Sequence, residues 1–246
     1  MSESGGPDAR RAELAGALAA VRNRLDEAAR AAGRAPGDVE LLPVTKYFPA
    51  SDAVLLYELG CRSFGESREQ EAGAKITRFR GTVTDPGVAW HMIGRLQRNK
   101  ARAVARWAHT IHSVDSIRLA DAVAAGARAA RDAGDRVTPI RVLLQVSLDG
   151  DPQRGGVAAA DLEALAAAVA DAEGLKLAGL MGVPPLGWDP DAAFEQLARM
   201  HSQVLAGHPG ATELSAGMSG DLEQAVRWGS TCVRVGTAVM GRRPLA

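Results

Sequence analysis

The sequence predicts an α/β protein folded as a single (β/α)8 barrel, the TIM-barrel class, over residues 1–246. Eight short apolar or β-branched segments alternate with alanine-rich amphipathic segments, and strands that alternate with helices pair in parallel through right-handed crossovers. The chain of 246 residues is close to the roughly 250 that such a barrel needs. No linker long enough to separate a second domain interrupts the alternation, so one domain is expected.

An additional helix is expected before the barrel, at about residues 8–32. Four apolar residues recur there at spacings of four and three, which places them on one helical face. These residues are Leu14, Leu18, Val21 and Leu25. Gly33 follows the last periodic residues, at a position where a left-handed helix cap favours glycine.

The eight predicted strands follow in order along the rest of the chain. They cover residues 40–45, 62–65, 89–93, 110–113, 141–146, 177–181, 212–215 and 232–235. Helical patterns between them include residues 51–59, 118–133, 158–172, 190–206 and 220–228. An open doubly wound sheet would show the same alternation, but it usually carries a glycine-rich phosphate-binding turn after its first strand. Here that turn reads Thr45-Lys46-Tyr47-Phe48-Pro49, which favours the barrel.

The charge balance and the cysteines exclude several classes of ligand. Lys and Arg total 29 and Asp and Glu total 29, so the chain lacks the long-range positive field that sequence-independent nucleic-acid binding needs. A basic cluster within residues 95–102 is better explained as a solvated helix face. Cys61 and Cys232 have neither metal-ligand spacing nor a disulfide framework. We therefore expect no nucleic-acid partner and no metal.

Targeting and membrane segments are also not expected. Residues 1–11 are polar and contain Pro7, without the apolar core of a signal peptide. No stretch approaches the roughly 18 uninterrupted apolar residues of a transmembrane helix. These observations favour a cytoplasmic protein without a membrane partner.

Lys46 is the most informative residue of the predicted barrel mouth. In this fold the functional groups stand at the C-terminal ends of the strands, and Lys46 directly follows the apolar run of the first strand. A lysine partly removed from water holds more free amine, which can attack an aldehyde and form a Schiff base. Taken alone, a surface lysine at a strand end is the simpler interpretation.

The ends of the last two strands predict a phosphate site, because the loops after strands seven and eight usually bind phosphate in this fold. Gly236 lets an anion approach backbone N–H groups closely, and Thr237 adds a hydroxyl. Across from them, Met218 and Ser219 follow strand seven, which ends at Ser215. We assign these five residues to a cofactor site. The alternatives are that Ser219 only caps a helix and that Gly236 only closes a turn.

Lys46 and the phosphate site together favour a phosphate-bearing aldehyde, and Arg234 refines that prediction. Arg234 lies within an apolar strand, where burial without a partner is costly. It could reach the carboxylate of Glu66 or Asp221, or face the pyridine nitrogen of pyridoxal 5′-phosphate (PLP). Because arginine keeps its proton in proteins, that nitrogen would stay unprotonated, which suits binding or racemisation more than transamination.

Long stretches of the sequence resemble the pyridoxal phosphate homeostasis proteins of the YggS and PROSC type. The matching residues are 42–46, 64–71, 90–100, 180–181 and 214–241. The most specific strings are WHMIGRLQRNK at residues 90–100 and the Gly-Met-Ser and Val-Arg-Val-Gly-Thr motifs within residues 217–237. Together they identify the chain as a member of this family along nearly its whole length.

The resemblance implies a fold like the N-terminal barrel of bacterial alanine racemase. It implies PLP held as a Schiff base on Lys46, phosphate bound by Ser219, Gly236 and Thr237, and Arg234 beside the ring nitrogen. It also implies a role in vitamin B6 homeostasis with little or no catalysis, in which PLP is the ligand and PLP-requiring apo-enzymes are candidate partners.

Two segments depart from the family pattern. Ser67 stands where the family usually has asparagine, which puts any ring contact of that amide in doubt. Ser147, Asp149 and Arg154 stand where the family usually has an Asn-x-Ser and a lysine. A cation therefore remains at the predicted barrel mouth, with altered geometry.

Two other functions share the predicted site. A PLP-dependent amino-acid racemase is the main alternative. Racemisation on this scaffold in alanine racemase resembles a two-base mechanism, in which a tyrosine from a second domain opposes the lysine. Because the chain ends at Ala246, shortly after strand eight, we expect little racemase turnover and a monomer. A Schiff-base aldolase acting on a sugar phosphate is the third interpretation.

His91, which alternates with apolar neighbours, is interpreted as a hydrogen-bonded core histidine.

Overall fold

The computed structural model describes residues 6–151 and 153–243. The expectations that concern residues 1–5 and the chain end at Ala246 lie outside this part of the chain. Eight parallel strands form one sheet in the order β1-β8-β7-β6-β5-β4-β3-β2. The strands are β1 (Glu40–Pro43), β2 (Ser63–Glu66), β3 (Ala89–Met92), β4 (Thr110–Val114), β5 (Ile140–Gln145), β6 (Leu175–Met181), β7 (Glu213–Ser215) and β8 (Cys232–Val235).

The sheet closes on itself almost completely, because its two end strands also meet. β1 pairs with β8 along its length. On its other side, Val44 and Gly65 form a parallel bridge between β1 and β2, and the Thr45 N–H donates to the Gly65 carbonyl at 3.0 Å. The predicted (β/α)8 barrel is therefore confirmed and the open doubly wound sheet is excluded. All eight predicted strands are present, with ends shifted by at most two residues.

Helices connect the strands and cover the outside of the barrel. They are α1 (Pro7–Ala31), α2 (Ala50–Glu58), α3 (Glu69–Arg80), α4 (Ala101–Ala105), α5 (Ile117–Asp132), α6 (Leu162–Asp171), α7 (Pro190–Gly207), α8 (Leu222–Arg227) and α9 (Thr237–Met240). Short 3-10 turns, Arg98–Lys100 and Ala159–Asp161, precede α4 and α6. The helix predicted at residues 220–228 begins at Leu222, because Asp221 at φ −143° is still outside helical conformation.

Helix α1 packs its predicted apolar face on the barrel. Leu14, Leu18, Val21 and Leu25 are all buried, in one cluster with the outer side chains of β1, β2, β3 and β8. Burying each such side chain stabilises the fold by about 1.5–3 kcal/mol. The helix ends as the sequence indicated: Gly33 has φ +71°, and the Arg34 N–H returns to the Ala29 carbonyl at 2.9 Å.

Alternation along the strands separates an outer apolar layer from a partly polar barrel interior. Phe64 and Trp90 point outward and pack with Phe79 of α3, with ring centroids 5.0–5.7 Å apart. Because successive side chains of a strand face opposite sides, His91 and Arg234 face the interior. This alternation places the polar groups described below.

Candidate functional site

Lys46 lies at the C-terminal end of β1, as predicted. It shares its side of the chain with Leu42 and Val44, which contact inward-facing Gly65. The Lys46 side chain is half-buried, and its Nζ lies 5.7 Å from the centre of the Tyr47 ring. Tyr47 has φ +71°, an uncommon conformation for a residue other than glycine, and such positions concentrate at functional sites. Within residues 6–151 and 153–243, no carboxylate forms an ion pair with Lys46.

A buried ion pair supports the strand end that carries Lys46. The Lys75 Nζ donates to Glu66 Oε1 at 2.6 Å and to the Thr45 carbonyl at 2.7 Å, while the Thr45 hydroxyl donates to the same Glu66 oxygen at 2.6 Å. Burial raises the pKa of Glu66, and the positive charge of Lys75 opposes that shift. The Thr45 peptide is thus fixed from both sides. Because these contacts engage its amine, Lys75 is a poor candidate for a second lysine that could form a Schiff base.

The two turns predicted to bind phosphate lie against each other. The Ala238 N–H, in the first turn of α9, faces Ser219 Oγ at 3.4 Å. Residues at the start of a helix have no intrahelical partner for their N–H groups, and of these the N–H of Ala238 faces this turn. Gly236 packs against β1, since a Cβ built on it would lie 3.7 Å from Val44 Cβ.

The loop after β7 needs glycine and leaves Met218 at the surface. Gly217 has φ +90°, and a Cβ there would meet Ala225 Cβ at 2.6 Å. The Met218 N–H donates to Asp221 Oδ1 at 2.6 Å, and the Met218 side chain is 40% exposed. Asp221 is the residue that precedes α8, so the alternative in which Ser219 only caps that helix does not describe the structure.

Arg234 is buried and held by two neutral acceptors. Its Nη1 donates to Ser215 Oγ at 2.6 Å and its Nη2 to the Gly182 carbonyl at 3.1 Å. Burial lowers the pKa of the guanidinium, opposed in part by Asp221. Neither carboxylate suggested from the sequence is its hydrogen-bond partner: Glu66 points outward to Lys75, and Asp221 accepts from Met218. Of the alternatives given, Glu66 is excluded because strand alternation puts it and Arg234 on opposite sides of the sheet.

Two histidines continue the polar contacts across the barrel interior. His91 Nδ1 lies 2.9 Å from His112 Nε2, and His112 Nδ1 lies 3.0 Å from Ser215 Oγ. Burial lowers the pKa of His91 to about 3 and that of His112 well below its usual value, so both rings are neutral at pH 7. The interpretation of His91 as a hydrogen-bonded core residue is confirmed. His112 was missed, although its position between Ile111 and Ser113 in a buried strand was a usable signal.

The departures from the family pattern are also positioned. Ser67 follows β2. Its backbone lies so close to Gly94 that a Cβ atom added to Gly94 would collide with the Ser67 backbone. The cation of Arg154 is turned toward the loop after β6: its Nη2 donates to the carbonyls of Val183 and Pro184 at 3.1 and 2.9 Å. It also lies 3.5 Å from Asp149. The basic cluster at residues 95–102 is largely exposed, as expected for a solvated surface.

Across residues 6–151 and 153–243, no group of three or more His, Cys, Asp or Glu residues is arranged to hold a metal ion. No helix in the same residues has the length and apolar character needed to cross a membrane.

Comparison with known proteins places this geometry in a family. Residues 17–244 match the profile of the alanine racemase N-terminal domain. The pyridoxal phosphate homeostasis protein of Mycobacterium tuberculosis (strain H37Rv) is 55% identical over 248 aligned residues, covering 97% of this chain and 96% of that protein.

Solved structures agree with the sequence comparison. A protein of unknown function from Bifidobacterium adolescentis superposes with a TM-score of 0.86 at 32% identity, over 97% of this chain and 98% of its own. PipY of Synechococcus elongatus PCC7942, solved with PLP bound, has a TM-score of 0.78 at 34% identity, over 93% of this chain and 100% of its own. The chain belongs to the family of pyridoxal phosphate homeostasis proteins, whose barrel is that of the alanine racemase N-terminal domain.

Proposed function

We propose that this protein binds PLP as a Schiff base on Lys46 and acts in intracellular PLP homeostasis, with little or no catalytic activity of its own. The observation that carries the proposal is the position of Lys46 at the end of β1, beside the Gly236–Thr237 end of β8. A relative of the same fold is described with PLP bound. Relatives of nearly the same length are named for PLP homeostasis.

The donor set of the barrel mouth fits the three chemical parts of PLP. PLP supplies an aldehyde that condenses with an amine, an electron-accepting pyridine ring, and a phosphate. Lys46 offers the amine, and its freedom from carboxylate partners among the described residues leaves that amine available. Arg234 offers a buried cation whose side-chain hydrogen bonds, among the described residues, go to Ser215 and Gly182 and to no carboxylate.

The phosphate would be held by the turns after β7 and β8. Ser219 offers its hydroxyl, and residues 236–238 offer backbone N–H groups together with the Thr237 hydroxyl. The 3.4 Å contact between Ala238 N–H and Ser219 Oγ is longer than a normal hydrogen bond. Both groups are therefore weakly engaged with each other and can turn to an anion. Met218 and Ser215 border these groups, and Ser215 acts through Arg234.

The ring nitrogen would face Arg234. Because a guanidinium only donates, a nitrogen beside it accepts a hydrogen bond and stays unprotonated. An unprotonated pyridine is a weaker electron sink, which favours binding over transamination chemistry.

The arrangement of the tyrosines argues against efficient racemisation. The sequence has two tyrosines. The hydroxyl of Tyr57 donates to Asp85 at 3.1 Å and its ring stacks on Arg62, on the outer layer of the barrel. Tyr47 directly follows Lys46 on the same strand end and packs against Arg243, 3.9 Å from its ring centre. Neither residue is placed to act as a second base opposite Lys46.

The absorption spectrum of the purified protein with PLP tests the proposal. Wild type is expected to be yellow, Lys46→Ala colourless, and Lys176→Ala yellow, because Lys176 is an exposed lysine near the opposite end of the barrel. Borohydride reduction followed by peptide mapping should place the label on Lys46. Full covalent loading of Lys46→Ala, or a label on another lysine, would refute the assignment.

A racemase assay decides between the proposal and its main alternative. Racemisation of L-alanine at an enzyme-like rate, roughly 1 per second or faster, would show that the protein is a PLP enzyme. A Schiff-base aldolase would instead bind a sugar phosphate and show no visible cofactor band. Delivery of PLP to apo-enzymes, a monomeric state and a cytoplasmic location stay predictions.

A further inference from the structure

A continuous chain of polar side chains crosses the interior of the barrel below Lys46. It runs from His91 on β3 to His112 on β4, then to Ser215 on β7 and Arg234 on β8, with contacts of 2.9, 3.0 and 2.6 Å. β4 and β7 are not neighbours in the sheet, so the His112–Ser215 contact spans the interior. We call these four residues the interior relay.

Such a relay is unusual for the centre of a barrel of this size. Layers of branched apolar side chains normally fill that space, and polar groups are costly to bury unless each is hydrogen-bonded. Elsewhere in this interior, Leu143, Ala178 and Met181 form an apolar cluster. Apolar side chains like those of this cluster would fill the positions on β3, β4, β7 and β8 equally well. The polar contacts therefore need an explanation other than packing.

The chemistry of the four groups gives the relay a direction. Arg234 only donates, so Ser215 Oγ is the acceptor of that bond. If the Ser215 hydroxyl then donates to His112 Nδ1, the Nε2–H of His112 donates to His91 Nδ1, and every contact has one donor and one acceptor. In the opposite direction Ser215 Oγ would accept twice, and its own proton would be left to the neighbouring sulfur of Cys232, which is a weak acceptor.

We propose that His112, supported by His91, is a positioning residue for Arg234. By accepting the Ser215 proton at Nδ1, it turns the Ser215 oxygen toward the guanidinium and so fixes one side of Arg234. The Gly182 carbonyl fixes the other side. All of these acceptors are neutral, so the guanidinium keeps its full positive charge while its orientation is set. The proposal rests on the function proposed above, in which Arg234 faces the ring nitrogen of PLP.

Two amide variants test the relay, because each replaces one ring nitrogen of His112. The amide of His112→Asn lies near the Nδ1 position and can keep the contact with Ser215. The amide of His112→Gln reaches the Nε2 position, keeps the contact with His91 and loses Ser215. His201→Phe is the matched control, since His201 is a buried histidine of α7 that pairs with the Ala211 carbonyl outside the barrel interior.

The readouts are PLP retention by equilibrium dialysis and the absorption band of the bound cofactor. We expect His112→Gln and His112→Phe to retain PLP roughly tenfold less well, the effect of about one hydrogen bond to a charged group, and to shift the band. His112→Asn and His201→Phe should match wild type. Equal behaviour of the two amide variants, or a His112→Phe protein identical to wild type, would overturn the proposal.

A measurement without PLP separates this proposal from the proposed function. ¹⁵N spectra of labelled histidines in the ligand-free wild type report which ring nitrogen carries the proton. His112 is expected to be neutral and protonated on Nε2. A charged ring, or one protonated on Nδ1, contradicts the relay whatever the protein binds. Failure of wild type to bind PLP, with the expected tautomer present, contradicts only the proposed function.

Discussion

Lys75 and Arg234, both buried cations of the barrel, are held in opposite ways. Lys75, a residue of α3, contacts the carboxylate of Glu66 and the Thr45 carbonyl on the outer side of the sheet. Arg234 touches a hydroxyl and a carbonyl and lies in the interior. A neutralised cation has little attraction left for a ligand, whereas one held by neutral dipoles keeps it. The difference fits a structural role for Lys75 and, under the proposed function, a ligand-binding role for Arg234.

Removing one partner of the outer ion pair is the strongest test of that contrast. Lys75→Met leaves Glu66 buried without a counter-charge, and breaking a buried pair in this way costs about 3–5 kcal/mol. Urea unfolding should show a lower midpoint with an unchanged slope. The double variant Lys75→Met, Glu66→Leu should recover most of the loss, and Arg131→Ala, on the surface, should leave the midpoint unchanged. A Lys75→Met protein as stable as wild type would contradict the structural role.

The relay histidines should make stability depend on pH. The pKa of His91 falls from 6.5 to about 3 on folding, so the unfolded chain binds more protons between those values. Stability contributed by the neutral ring is therefore present above pH 6.5 and is lost as pH falls toward 3, by up to several kcal/mol. Unfolding midpoints measured from pH 7 to 4 should fall less steeply in His91→Phe. An unchanged slope would show that His91 is not buried as a neutral ring.

Removing the inner cation should affect the ligand more than the fold. Arg234→Met removes a buried charge and leaves Ser215 and Gly182 without their donor, so we expect a stability loss below about 2 kcal/mol. PLP retention should fall at least tenfold, because the ring nitrogen loses its charged donor. Urea unfolding and equilibrium dialysis on the same preparation measure both effects. If stability falls as far as in Lys75→Met while retention is unchanged, the contrast between the two cations fails.

A change in the phosphate turn should affect the ligand alone and leave the fold unchanged. Thr237→Val removes one hydroxyl from an exposed position and should weaken PLP retention by about 1–3 kcal/mol, with no change in the unfolding midpoint. Equilibrium dialysis at two phosphate concentrations measures this, since inorganic phosphate should compete at the same turn. Unchanged retention would remove Thr237 from the phosphate site.

Much of the architecture could be predicted because it follows from the regular spacing of apolar residues along the chain. The apolar face of α1 and the eight strands follow from spacings of three and four or of two residues, which are local properties of the chain. The strand-end rule then located Lys46, Gly236 and Thr237 at one end of the barrel. The short helix α4 was not predicted, since five residues are too few to show a period.

The partners of buried polar groups could not be predicted in the same way. Glu66 was one of the alternatives given for Arg234, and the structure separates the two residues, because the side of the sheet that each side chain faces depends on register and closure. His112 and Ser215 are 103 residues apart in sequence and meet only across the closed interior. The length of the connecting chain holds no information about such a contact.

The sequence by itself determined the fold class, the family and the amine at the end of β1, because repeating patterns and long motifs are readable one segment at a time. Only the tertiary structure decided that Lys75 pairs with a carboxylate and that Arg234 is held by neutral acceptors. These contacts depend on groups from β2, β3, β4, β7 and β8 that closure of the barrel brings together. Burial then amplifies those few contacts, because in a low-dielectric interior each missing or added partner changes the free energy far more than in water.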